Sequence, residues 1–125
     1  MSLPIAALYV PLNGLLYLAL TMYTSRLREK HQVFVGDGGI AELQRAMRAS
    51  VNHGAYLPLA LLLLVVLELS GAPRLILHVF GGGMLLARAS YALGALREIG
   101  PALGLGAAAT YGVIVTEALW TFALR

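Results

Sequence analysis

Four long apolar stretches, separated by three short polar segments, run along the whole chain. They predict helical spans at about residues 3–30, 41–69, 74–96 and 102–123. At about 1.5 Å per residue, helices of this length cross a hydrocarbon core about 30 Å thick. Glycine, proline and charged residues in the intervening segments supply turns without apolar periodicity. The pattern therefore predicts an all-α integral membrane four-helix bundle, with residues 1–125 forming a single transmembrane domain.

The composition excludes the main alternatives to a membrane protein. Apolar residues make up 59% of the chain and charged residues only 12%, whereas a soluble domain has about 25% charged residues. Disorder is excluded as well, because disordered chains are poor in apolar residues. The chain has no cysteine, so it has neither disulfides nor a cysteine nucleophile. A net charge of +3, scattered along the sequence, argues against nucleic acid and favours an anionic small molecule or lipid as the partner.

The basic residues predict how the spans cross the membrane. Four crossings place both termini and the second loop on one side, which holds two of the nine lysines and arginines, Arg74 and Arg125. The other seven belong to the opposite side: Arg26, Arg28, Lys30, Arg45, Arg48, Arg88 and Arg97. Because basic residues accumulate on the cytoplasmic side, we expect a multi-pass protein of the cell membrane whose first and third loops are cytoplasmic. Both termini should then be non-cytoplasmic.

Two stripes of polar residues are unexpected in helices that face only lipid. Arg48, Asn52 and Tyr56 recur every four residues on the second span, and Arg88 and Tyr91 are three apart on the third. An arginine inside a span costs about 2.5–3.5 kcal/mol, so it rarely faces lipid. Each arginine alone could extend to the headgroups, but a shared polar pocket explains both stripes. Guanidinium and amide groups suit a small anion with several carboxylates, and a tyrosine hydroxyl can stabilise a thiolate.

The remaining polar residues of the spans do not indicate a further binding or metal site. Glu68 and Glu117 fall near span ends, where we expect their carboxylates to reach water. A small drug transporter would need an acid in mid-span, so this pattern argues against that function. His53 lies on another face than Asn52 and is expected to be packed or interfacial. His78 has no further ligand at metal spacing, so no metal site is predicted.

The most specific motif lies in the second span and reads Arg48-Ala49-Ser50-Val51-Asn52-His53-Gly54-Ala55-Tyr56-Leu57-Pro58. The third span carries Arg88-Ala89-Ser90-Tyr91, and the first loop reads Val35-Gly36-Asp37-Gly38-Gly39. With these motifs the chain resembles the family of membrane-associated proteins in eicosanoid and glutathione metabolism (MAPEG), in particular its bacterial members related to microsomal glutathione transferases. The resemblance covers nearly the whole chain.

The resemblance implies a homotrimer that binds glutathione as a cosubstrate between neighbouring subunits, while a hydrophobic small-molecule substrate enters from the bilayer. By position, the residues that would bind glutathione are Arg28, Arg48, Asn52, Tyr56, Arg88 and Tyr91. Arg88 and Tyr91 would also be catalytic, with Tyr91 assisting the thiolate. The implied function is a glutathione-dependent transferase or peroxidase that acts on hydrophobic electrophiles at the inner membrane.

Two positions depart from the family pattern. The glutamate of the second-span motif is Ala55, which removes a partner for Arg48 or for the ligand's ammonium. The arginine that activates the thiol after the third span in some members is also missing, because the chain there reads Glu98-Ile99-Gly100-Pro101-Ala102. These departures favour an alternative function, a non-catalytic lipid-binding membrane protein of the same family.

The predicted orientation can be tested with single cysteines, since the chain has none of its own. We expect Cys at position 73 (Pro73→Cys) to react with an impermeant maleimide added outside intact cells, and Asp37→Cys to react only after the membrane is permeabilised. Faster external labelling at position 37 than at position 73 would show that the orientation is inverted.

Overall fold

The computed structural model describes residues 2–125 and is all-helical in its regular structure, with four helices long and apolar enough to span a membrane. They are α1 (Ala6–His31), α2 (Ala41–Leu69), α3 (Arg74–Arg97) and α4 (Gly100–Leu124). The fold class predicted from the hydrophobic pattern is therefore confirmed as four spanning helices. The observed bounds of α2 coincide with the predicted span. The largest difference is at α1, which begins three residues later than predicted, because residues 4 and 5 form a turn.

Side chains rather than local capping residues tie down both ends of α1. The Glu68 carboxylate, at the end of α2, accepts hydrogen bonds from the backbone amides of Ile5 (3.0 Å) and Ala6 (2.9 Å). A carboxylate suits this position because the first amides of a helix lack intrahelical partners and carry partial positive charge. At the other end, Arg28 donates to the carbonyl oxygens of Val33 (3.2 Å) and Gly36 (2.7 Å). Arg28 thus holds the first loop against the helix that precedes it.

The apolar core is divided into small clusters that follow the length of the bundle. Near the second loop, Leu64, Leu67, Leu77 and Phe80 are buried together, and near the first loop Leu27 and Leu43 pack with Ala46. The outer faces carry large exposed apolar side chains, among them Leu15, Leu62, Leu86, Leu105 and Leu119. Such faces suit the lipid environment that four spanning helices imply.

Two glycines bring α3 and α4 into close backbone contact. A Cβ atom added to Gly94 would lie 2.3 Å from the backbone nitrogen of Leu103, and one added to Gly106 would lie 2.5 Å from that of Tyr91. Small residues are common where membrane helices meet, because association there depends on close packing rather than on exclusion of water. The contact at Gly106 matters most here, since it fixes the distance between α4 and the polar side chains of α3.

This contact predicts different effects for two neighbouring glycines of α4. Gly106→Ala should lower stability by about 1–3 kcal/mol, because the added methyl group would collide with backbone. Gly104→Ala is the matched control, since no atom lies within 4 Å of its added Cβ. Thermal unfolding in detergent should give a clearly lower midpoint for the first variant and an unchanged or higher one for the second. Equal midpoints would contradict the proposed helix contact.

Candidate functional site

The structure brings the two predicted polar stripes together. Arg45 lies on the same face of α2 as Arg48 and Asn52, three and seven residues before them, and Glu98 directly follows α3, seven residues after Tyr91. Asn52 and Arg88 join the two predicted stripes, since Arg88 Nη2 donates to Asn52 Oδ1 at 2.7 Å. A second contact, between residues outside the predicted stripes, lies nearer the loops, where Arg45 Nη1 is 3.3 Å from Glu98 Oε1. The result is a continuous polar track between α2 and α3, which runs from the end of the bundle near the first and third loops into its interior.

The Arg88 guanidinium is the innermost charge of this track. The residue is only 1% exposed, and its nitrogens donate to His53 Nδ1 (3.2 Å), Thr110 Oγ1 (3.2 Å) and Asn52 Oδ1 (2.7 Å). Its Cζ atom lies 4.9 Å from the centroid of the Tyr91 ring, which is within the range of a cation–π interaction. Among residues 2–125, no carboxylate lies within ion-pairing distance of Arg88. The described residues therefore surround this cation with neutral groups only.

His53 connects this cation to α1. Because its Nδ1 accepts the hydrogen bond from Arg88, the ring proton is assigned to Nε2, which donates to the backbone carbonyl of Asn13 at 3.3 Å. The ring of Tyr17 packs edge-on against it, with centroids 5.7 Å apart. The prediction that His53 is packed is correct, but its contact with Arg88 was missed. Thr110 was missed as well, and no charge or motif in the sequence marks it.

Tyr56 and Tyr91 have different surroundings. Tyr91 is 5% exposed and packs with Leu20 and Ala49 beneath the guanidinium of Arg88. Tyr56 lies one turn beyond Asn52, and its hydroxyl accepts a hydrogen bond from Tyr111 at 3.4 Å, with the two rings in edge contact. Tyr91 therefore touches the buried cation, whereas Tyr56 lies on the half-buried surface beside it.

An open cavity of about 240 Å³ lies at the loop end of the polar track. Its polar lining consists of Arg45, Arg48 and Glu98. Gly94 and Ala95 of α3 and the first turn of α4 complete its walls. Arg48 is exposed there. The cavity and the Arg88 network are one helical turn apart on α2, because Arg48 and Asn52 belong to consecutive turns. Together they contain three guanidinium groups, one carboxylate and one amide along a single track.

Arg28 lies apart from this polar track. Its hydrogen bonds go to the first loop, as described above, and a further contact at 3.5 Å joins Nη2 to the sulfur of Met47. A role of Arg28 in binding glutathione stays a prediction.

The expectation that Glu117 reaches water is wrong. The residue is 1% exposed, and its Oε2 atom has no hydrogen-bond partner among the described residues 2–125. The reason is its register on α4, where Gly106, Thr110 and Glu117 form the buried face. The exposure of Glu117 is therefore set by the face of α4 on which it lies and not by its distance from the end of the span.

Comparison with known proteins agrees with this architecture. The model of the MAPEG family matches residues 6–123. Over 84 residues the chain is 37% identical to the inner membrane protein YecN of Escherichia coli strain K12, and the match to YecN of Escherichia coli strain O6:H1 is equally close. The aligned region covers 67% of this chain and 64% of those relatives, which is less than two thirds of their length. No solved structure matches the chain. The family match over nearly the whole chain, the homology to an inner membrane protein and the four spanning helices lead to one conclusion: the chain is a multi-pass membrane protein that belongs to the MAPEG family.

Proposed function

We propose that the polar track binds glutathione at the inner membrane. The protein then joins the sulfur of glutathione to hydrophobic electrophiles, or uses glutathione to reduce hydroperoxides. The observation that supports this most directly is the charge of Arg88, which is buried among neutral acceptors. A buried cation is costly when no anion compensates it. A ligand with two carboxylates, seated along Arg48, Asn52 and Arg88, would supply that compensation.

In this proposal the track orients the ligand so that its sulfur lies near Tyr91. A hydrogen bond from the tyrosine hydroxyl stabilises the thiolate, which is the reactive form. In the transferase reaction, the thiolate sulfur forms a bond to an electrophilic carbon and the leaving group departs with the bonding electrons. In the peroxidase reaction, two glutathione molecules are oxidised to the disulfide while the hydroperoxide is reduced to an alcohol and water. The apolar faces of the helices give a lipophilic substrate access from the bilayer.

The second candidate is a non-catalytic lipid-binding protein with the same fold. It is favoured by Ala55, which is exposed where the family motif has glutamate, and by the lack of an arginine at positions 98–102. A conjugation assay with an activated aryl chloride separates the two candidates. Turnover that depends on glutathione supports the enzyme. If glutathione binds but none of several electrophiles is converted, the non-catalytic alternative is supported.

The proposed site is shared between subunits, and we propose a homotrimer. Arg48 and Ala55 lie on a face of α2 that the protomer leaves exposed, so a neighbouring chain can complete the site there. Native mass measurement in mild detergent should therefore give three chains per particle. A stable monomer or dimer that still binds glutathione would contradict a site between subunits of a trimer.

Removal of the Arg48 guanidinium should weaken glutathione binding. The Arg48→Ala variant loses a charge-assisted interaction of about 1.5–3 kcal/mol, which corresponds to about ten- to a hundredfold in Kd. Isothermal titration of the detergent-solubilised protein measures this change directly.

Arg74→Ala is the matched control, because Arg74 is also exposed but lies at the opposite end of the bundle, where α3 begins. It should bind glutathione as the unchanged protein does. Equal affinity in both variants would exclude Arg48 from the site, and a lack of binding by the unchanged protein would exclude glutathione.

A further inference from the structure

The cavity at the loop end of the polar track carries charges of both signs. Arg45 and Arg48 contribute two guanidinium groups, and Glu98 contributes a carboxylate. A site for a simple anion would not include a carboxylate, which repels such a ligand. The combination instead suits a group in which a primary ammonium and an anion lie a few bonds apart.

Glu98 is held in position by Arg45, but this ion pair occupies only one of its carboxylate oxygens. Glu98 directly follows the last residue of α3, with a left-handed backbone conformation (φ 55°) that turns the chain back toward α4. Its Oε1 atom is paired with Arg45 at 3.3 Å, while the side chain remains 72% exposed. The second carboxylate oxygen is therefore available to a ligand, and Arg45 restricts the rotamers from which it can act.

The size of the cavity indicates how much of a ligand enters it. At about 240 Å³ it is smaller than a pocket that encloses a whole drug-sized molecule, which is about 300–1,000 Å³. It suits one end of an extended ligand, whose remainder follows Arg48 and Asn52 toward Tyr91.

We propose that Glu98 accepts a hydrogen bond from the primary ammonium of the ligand, while Arg48 binds the carboxylate on the same carbon, so that the cavity selects the amino-acid end of the peptide. This inference rests on the proposed binding of glutathione. It also gives the ligand's ammonium a carboxylate partner at a different place from position 55, where the family motif has its glutamate. Glu98 is thus a specificity-determining residue for a free amine.

An ethanolamine phospholipid presents the same chemistry, a primary ammonium beside an anion. The two sources can be separated by the membrane in which binding is measured. We therefore choose nanodiscs of phosphatidylcholine, which has no primary ammonium, and add phosphatidylethanolamine in a second series. If the peptide is the occupant, glutathione binds in both series with similar affinity.

The test compares two ligands on two proteins by titration calorimetry. The ligands are glutathione and N-acetylglutathione, which lacks the ammonium; the proteins are the unchanged chain and the Glu98→Gln variant. The unchanged protein should prefer glutathione by about three- to tenfold, a value between those of exposed and shielded charge pairs. The variant should bind both ligands equally. Glu29→Gln, which alters an exposed glutamate of α1 outside the cavity, should keep the preference.

Each other outcome has a definite meaning. If Glu98→Gln weakens both ligands by the same factor, Glu98 only positions Arg45 and the inference is wrong, although glutathione binding stands. If the unchanged protein binds both ligands equally well, no residue selects the amine and the inference is also wrong. If it binds neither ligand in phosphatidylcholine, the proposed function fails as well. Loss of glutathione binding on addition of phosphatidylethanolamine would assign the cavity to the lipid headgroup.

Discussion

The position of one guanidinium group determines how the four helices can pack. Arg88 is buried well inside α3, in a protein whose outer faces are apolar, so each of its hydrogen-bond acceptors must come from within the bundle. α2 supplies an amide and an imidazole, α4 supplies a hydroxyl, and α1 holds the imidazole through a backbone carbonyl. The close approach of α4 at Gly106 follows from the same requirement, because Thr110 lies one turn farther along that helix.

The sequence predicted the helices well, because length and hydropathy alone identify a spanning segment. It also predicted a shared polar pocket for Arg48, Asn52, Arg88 and Tyr91, since charged and amide groups are costly in lipid, and the structure brings Asn52 and Tyr91 into contact with Arg88. It did not reveal Thr110 or the burial of Glu117. In a soluble helix the polar face marks the outside, but in a membrane the lipid-facing and core-facing sides are equally apolar. Which face of α4 points inward therefore depends on packing, and the position of small residues is the only weak signal.

The polar track also shows why the site residues differ in what they can contribute. Arg28 is engaged by the first loop, and Arg88 by three neutral acceptors, so both have few donors left for a ligand. Arg48 and Glu98 are exposed at the loop end, where a ligand from the aqueous phase arrives first. In the proposed function, recognition by the exposed groups and compensation of the buried charge are thus separated along one track, and the proposed ligand must be long enough to reach both.

The order of residues along the chain has a consequence for biosynthesis. A single helix that carries an arginine pays about 2.5–3.5 kcal/mol to enter the membrane. Asn52 and His53 precede Arg88 in the sequence, so α2 is already made when α3 leaves the ribosome, and two acceptors can meet the guanidinium as it inserts. Thr110 follows 22 residues after Arg88 and completes its coordination last. Entry of α2 and α3 as a hairpin would remove most of the free-energy cost of inserting the helix that carries Arg88.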